Sequence, residues 1–460
     1  MGGRSPRVSR VGAAFFCVAL ACSVEESDPG GVGGNAGSGT SGSAGTGLTG
    51  ATGGDANAGA TGTGGSSTGG GSAGVATGGA AGSPSAGGTG GENANGGSAA
   101  GGTGGNGGQN GGSGGTSGQG GALGGASSGA SGSAGTGSAG GPSERCDIAN
   151  AGEEPPASVM LSGNLGTHDP VVIAAHDQYY LFSTGNNIGA KTSNDLRSWQ
   201  GASDVWNQST RPDWIAEQVP EASNLWAPDI SYFGGQYHLY YSASSFGCNV
   251  SCIGHATREA LNAGSWTDHG SVVCSNPGAS CGGNRPDNWN AIDPNVIVDA
   301  EGKPWLAFGS FWGGLKMIEL DENGDRVGDM LYSIAARPRN GGALEAPFIV
   351  RRCGYYYLFL SWDTCCQGSN STYNIRVGRS ETVTGPYVDQ EGTELMEGGG
   401  TLVLEGDTRW RGPGHNAVIF TDTGAYNVYH SYDANSNGAS MLRFSELVWD
   451  ADGWPISGGP

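Results

Sequence analysis

The chain has 460 residues, 92 of them glycine, and a formal net charge of −21. Such acidity excludes nucleic acid and other polyanions as natural partners and suits a neutral ligand. The glycines are unevenly spread, so composition also separates a part that can bury a core from parts that cannot.

Residues 1–22 read as a secretory signal. Arg4, Arg7 and Arg10 give a basic start, and Val11–Ala21 is an apolar run too short to span a bilayer permanently. Small residues lead into Cys22. Two readings stand there: lipidation of Cys22, which would anchor the protein without a spanning helix, or ordinary signal cleavage. Residues 23–145 are almost entirely Gly, Ala, Ser, Thr and Asn, without an aromatic residue. That composition offers too little apolar surface to offset the entropy of ordering, and it has no Gly-X-Y period. A disordered tether is expected, with a reach of about 50–60 Å. The foldable domain is residues 146–460, which hold all 12 tryptophans. A secreted or cell-surface monomer follows, touching a membrane only through an acylated Cys22.

Eight cysteines remain in that domain: Cys146, Cys248, Cys252, Cys274, Cys281, Cys353, Cys365 and Cys366. An even number in an exported chain points to disulfides, and local Cys248–Cys252 and Cys274–Cys281 bridges fit the loop spacing. Zinc is the rival, but the spacing matches no finger.

Within the domain one pattern recurs five times. Polar or acidic residues stand just before a short apolar strand: Thr167-His168-Asp169-Pro170, Trp226-Ala227-Pro228-Asp229, Asn290-Ala291-Ile292-Asp293-Pro294, Glu345-Ala346-Pro347 and Gly412-Pro413-Gly414-His415-Asn416. Each leads through a turn to an aromatic second strand, such as Tyr237–Ser242 or Tyr355–Ser361. Outer segments follow, with Asp195–Trp199, Ser265–Asp268 and Gly385–Val388 as counterparts. The spacing is about 50–70 residues, close to one four-stranded blade with its loops. Convincing helical periodicity is absent. The prediction is an all-β, five-bladed propeller, with one or two β-sandwiches as the alternative. In a propeller the first strands surround one channel, so the five mouths would share one site.

Three mouths carry carboxylates in favourable settings: Asp169, Asp293 and Glu345. Glycoside hydrolysis needs a carboxylic acid to protonate the leaving oxygen and a carboxylate to act as base or nucleophile. A third carboxylate near the acid helps keep it protonated by like-charge repulsion.

The mouths of the first, third, fourth and fifth units, together with Gly309-Ser310-Phe311-Trp312-Gly313-Gly314 and Ser371–Ser380, resemble glycoside hydrolase family 43, and within it the endo-1,5-α-L-arabinanases. The resemblance runs from about Ser158 to Trp454, with the blocks in family order. It implies an inverting hydrolase acting on arabinan, in which Asp169 is the general base, Glu345 the general acid, and Asp293 the residue that tunes Glu345. Inversion in turn calls for carboxyls about 6.5–9.5 Å apart. Asn290, Ala291, Ile292, Ser310, Phe311 and Trp312 match stretches that line the substrate sites. Trp226 and Phe246 resemble wall aromatics, and Gly254 a glycine that lets sugar approach the backbone. His415 matches a histidine that holds a calcium ion largely through water. Arg376 is expected to pair with a carboxylate near the channel. Cys365-Cys366 would be either a vicinal disulfide or two thiols with separate partners. The competing functions are an exo-acting family 43 enzyme (exo-arabinanase, arabinofuranosidase or xylosidase) and a catalytically silent sugar-binding propeller. The long Asn207–Ala222 and Cys248–Arg285 segments could close one end of a groove.

Overall fold

Short runs rich in aromatic and β-branched residues pair into five antiparallel sheets. The computed structural model describes residue 146, residues 148–275 and residues 288–460. The expected signal and tether lie outside those residues. Blade one comprises Val171–Ala175, Gln178–Ser183, Gly189–Ser193 and Ser198–Ala202, with the edge strand Ser162–Gly163. Blade two comprises Leu225–Phe233, Gln236–Ala243, Cys252–Arg258 and Thr267–Cys274. Blade three comprises Asn295–Val298, Pro304–Phe308, Leu315–Glu319 and Tyr332–Ala335, and blade four Leu344–Arg352, Tyr355–Trp362, Asn374–Ser380 and Thr401–Leu404. Blade five comprises Trp410–Phe420, Ala425–Asp433, Ala439–Trp449 and Pro455–Ser457. The first strands touch one another in sequence around a closed ring, which makes the five-bladed propeller.

Both faces of each sheet are covered by a neighbouring blade, so the second strands read as near-continuous apolar runs rather than alternating ones. Large rings fill the wedges: Phe182 meets Trp266 between blades one and two, Tyr357 meets Trp449 between blades four and five, and Trp199 meets Phe444 between blades one and five. Ring closure uses the segment before blade one. Val159 N–H donates to Phe444 O, and Leu442 N–H donates to Leu165 O, so this segment runs along blade five before entering blade one.

Four hairpin turns share one device. Asp299, Asp321, Asp389 and Asp450 each accept, through Oδ1, the backbone N–H groups two and four residues on. The residue three on is always glycine, with φ between 76° and 88° (Gly302, Gly324, Gly392, Gly453), where a side chain would be strained.

Several expectations change. Among the described residues one short α-helix, Trp214–Gln218, lies in the Asn207–Ala222 loop. Gly385–Val388 is not the outer strand of blade four. Val388 bridges Arg379 and Glu394, and Thr401–Leu404 takes the outer position. Neither local disulfide forms. Cys252 pairs with Cys274, because adjacent strands place them directly opposite, and Cys146 pairs with Cys353. The latter bond, with Arg352 donating to the carbonyls of Cys146 and Ile148, fastens the start of the domain to blade four. Cys281 lies outside the described residues. Cys365 and Cys366 are two thiols, not a vicinal disulfide.

Candidate active site

At all five mouths the chain makes the same move. Asp169, Ala227, Asp293, Ala346 and His415 have φ of 51°, 45°, 59°, 56° and 48°. A non-glycine residue there costs about 1–3 kcal/mol, so five of them in register mark a built feature. In blades two, four and five the move coincides with a β-bulge that shifts the register and re-aims side chains. Proline follows the first four of these residues, where no ladder donor is needed.

Each strained N–H is caught by a side chain of the preceding blade. Ala227 N–H donates to Thr184 Oγ1 (2.8 Å), Asp293 N–H to Ser242 Oγ (3.0 Å), and His415 N–H to Ser361 Oγ (2.8 Å). Around the closure, Asp169 N–H donates to His430 Nδ1 at 3.1 Å. The fourth junction differs. Ala346 N–H donates to Asp293 Oδ2 (3.1 Å), so a carboxylate from blade three does the capping. Ser310, two residues past blade three's second strand, instead donates to Glu345 Oε2 at 2.6 Å. Tyr373 donates to Glu345 Oε1 at 2.7 Å.

Asp169 sits in a cradle of imidazoles. Its Oδ1 lies 2.9 Å from His168 Nδ1, 3.1 Å from His415 Nδ1 and 3.6 Å from His430 Nδ1, while Thr184 donates to Oδ2 at 2.5 Å. Burial works against ionisation of Asp169, yet His168, then His415 and His430, hold its carboxyl well below the usual carboxylate range. Asp293 is displaced the other way. Burial first, then the charges of Glu345 and Asp169, push it well above that range, because carboxyls buried together cannot all ionise. Asp169 is thus held as an anion while Asp293 stays neutral.

The other predicted residues divide. Trp226 and Phe246 lie side by side, ring centroids 5.0 Å apart, with Phe246 63% exposed. Phe311 and Trp312 are half-buried with φ of 51° and 36°. Asn290 and Ile292 are buried, and Asn290 Oδ1 accepts from Ser251 Oγ. Three expectations are corrected. Ala291 is sealed in the core between blades two and three, so its side chain cannot meet a ligand. Gly254 makes room for protein rather than sugar: a Cβ there would stand 2.6 Å from ring atoms of both Trp214 and Tyr241. Arg376 pairs with no channel carboxylate. It donates to Asn374 Oδ1 and Gly400 O and lies over the Trp362 ring. Asp229, two residues past its mouth, accepts from Val296 N–H and Asn295 Nδ2 of the next blade, and burial pushes it up to about 7.

His168, Asp169 and His430 are spaced for a metal ion. His168 is engaged by Asp169 and Tyr432, and His430 Nδ1 by Asp169 N–H, while His430 Nε2 is buried without a hydrogen-bond partner. His415 has Nδ1 against Asp169, which leaves Nε2 as its remaining donor. A single nitrogen falls far short of the 6–8 oxygens calcium takes. This chain therefore fits calcium only as a hydrated ion touched by one imidazole.

Sequence reading overlooked His168, Thr184, Ser242, Ser361, Tyr373 and His430. A signal existed, since aromatic second strands repeatedly end in Ser or Thr, but nothing in one sequence says that those hydroxyls cap the next blade.

The sequence profile of glycosyl hydrolases family 43 matches residues 162–455. The chain belongs to that family. The extracellular endo-α-(1→5)-L-arabinanase 1 of Bacillus subtilis is 44% identical over 293 residues, which span 63% of this chain and 86% of that protein. An extracellular exo-α-(1→5)-L-arabinofuranosidase of Cellvibrio japonicus is 42% identical over 304 residues, covering 63% and 85%. Among solved structures, the endo-arabinanase of Bacillus licheniformis superposes with a TM-score of 0.60 at 44% identity, covering 65% of this chain and 99% of that one. The α-L-arabinanase of Cellvibrio cellulosa, solved with arabinohexaose, gives 0.59 at 40%, covering 64% and 95%.

Proposed function

We propose that this family 43 hydrolase is an endo-acting arabinanase that cleaves α-1,5-linked L-arabinan with inversion. The observation that carries the proposal is the set of three buried carboxyls on three blades, with Asp169 held ionised and Glu345 oriented by Ser310 and Tyr373. The names of similar relatives supply the sugar. In this reading Asp169 takes a proton from water as that water attacks the anomeric carbon. Glu345 gives its proton to the departing glycosidic oxygen. Asp293 accepts from Ala346 N–H and so fixes the backbone next to Glu345. Trp226 and Phe246 stack the furanose rings. An exo mode is the second reading, favoured by the Cellvibrio japonicus relative.

Export agrees with the relatives named extracellular. A hydrated calcium ion against His415 belongs to the same proposal, where it would add positive field to an acidic channel. Chelation should then lower activity, and calcium should restore it.

A time course on linear arabinan tests the main claim. Mixed oligosaccharides with an early fall in viscosity are expected. Arabinose or one fixed oligomer from the outset would establish the exo mode, and the anomer seen first by NMR decides inversion.

A further inference from the structure

We infer that Tyr373 is a positioning residue for the general acid, fixing the Glu345 carboxyl and stabilising the carboxylate that forms as the glycosidic oxygen is protonated. The inference rests on the glycosidase reading and deepens it.

Tyr373 is 2% exposed and stands just before the strand Asn374–Ser380, so its ring is set by packing rather than by solvent. Its backbone N–H is tied to Thr364 O. Its hydroxyl donates to Glu345 Oε1, and Ser310 takes the other oxygen, so the carboxyl plane is held from two sides. Blade five is shaped around the ring. A Cβ at Gly414 would stand 2.0 Å from Tyr373 Cδ1, and one at Gly412 would stand 2.6 Å from Ser371 Cβ. The glycines of the Gly412-Pro413-Gly414-His415 stretch therefore make room for this segment beside the acid. Burial, then the charge of Glu345, keeps the phenol well above its ordinary value, so it remains a neutral donor.

The proton balance is simple. The Glu345 O–H bond breaks as the proton passes to the glycosidic oxygen, and the C–O bond to that oxygen breaks with it. Negative charge then grows on Glu345, and the phenol hydrogen bond strengthens as it does. An interaction stronger in the transition state than in the ground state raises kcat rather than lowering KM. Before transfer, one of the two hydroxyls turns to accept from the protonated acid, which both Ser and Tyr can do.

Tyr373→Phe removes one oxygen and keeps the ring. On linear arabinan kcat should fall about 10- to 100-fold with KM unchanged, the rate equivalent of one hydrogen bond to a charged group. The loss should nearly vanish on a dinitrophenyl arabinoside, whose leaving group needs no proton. Calorimetric binding of arabino-oligosaccharide confirms that the variant is folded. Equal losses on both substrates, or an unchanged kcat, would overturn the role. Wild-type inactivity on arabinan would instead remove the substrate assignment, and the same pair of proteins on aryl furanosides would still judge Tyr373.

Discussion

A chain of buried histidines in blade two should set the acid stability of the domain. His238 Nε2–H donates to Phe233 O at 3.2 Å, which makes its Nδ1 an acceptor. His255 Nε2–H donates into that atom at 3.0 Å, and His255 Nδ1 is left buried without a partner. The stack continues to Tyr240 and His269, with centroids 4.6 and 4.9 Å from His255. Blade three closes it with Gly324, where a Cβ would stand 2.7 Å from His255 Cε1. An added proton has no acceptor here. Burial lowers His238 to about 4 and, with the charge of His238, lowers His255 to about 3, against 6.5 in the unfolded chain. The unfolded state therefore takes up protons first as pH falls. Stability is full above 6.5 and is lost as pH drops toward the folded values. Between pH 7 and pH 5 each histidine removes about 2 kcal/mol. Asp229, raised to about 7, and Asp293 act oppositely, since their folded forms bind protons first, so the wild-type curve alone is a mixture. His255→Gln keeps a donor to His238 and removes one titration. In urea unfolding at the two pH values, the variant should lose about 2 kcal/mol less than wild type on acidification. Equal losses in the two proteins would refute the reasoning.

Two further predictions concern the site. Glu345→Gln should cut turnover about 10³-fold or more while oligosaccharide binding survives, measured by steady-state rates and calorimetry, because the amide cannot protonate a leaving group. Ser242→Ala should strand the buried Asp293 N–H, cost about 1–3 kcal/mol in urea unfolding, and lower kcat by loosening Asp293.

The architecture was legible along the chain, and the three mouth carboxyls could be named from it. A repeat of strand, turn and aromatic strand allows few ways to bury both faces, and carboxyls at repeated mouths meet wherever first strands ring a channel. Single positions fared less well. Ala291 and Gly254 sit in stretches that read as substrate lining, yet both are packed against protein. How each acid is held depends on contacts between blades. Asp169 takes its charge state from histidines of blade five as well as its own neighbour, and Glu345 its orientation from Ser310 and Tyr373, residues 35 and 28 positions away. The disulfides followed the same rule, Cys252 choosing Cys274 across a ladder rather than Cys248 along the chain. Spacing in sequence reports which groups are present. Charge state, orientation and pairing depend on distances across blades, and those exist only once the ring has closed.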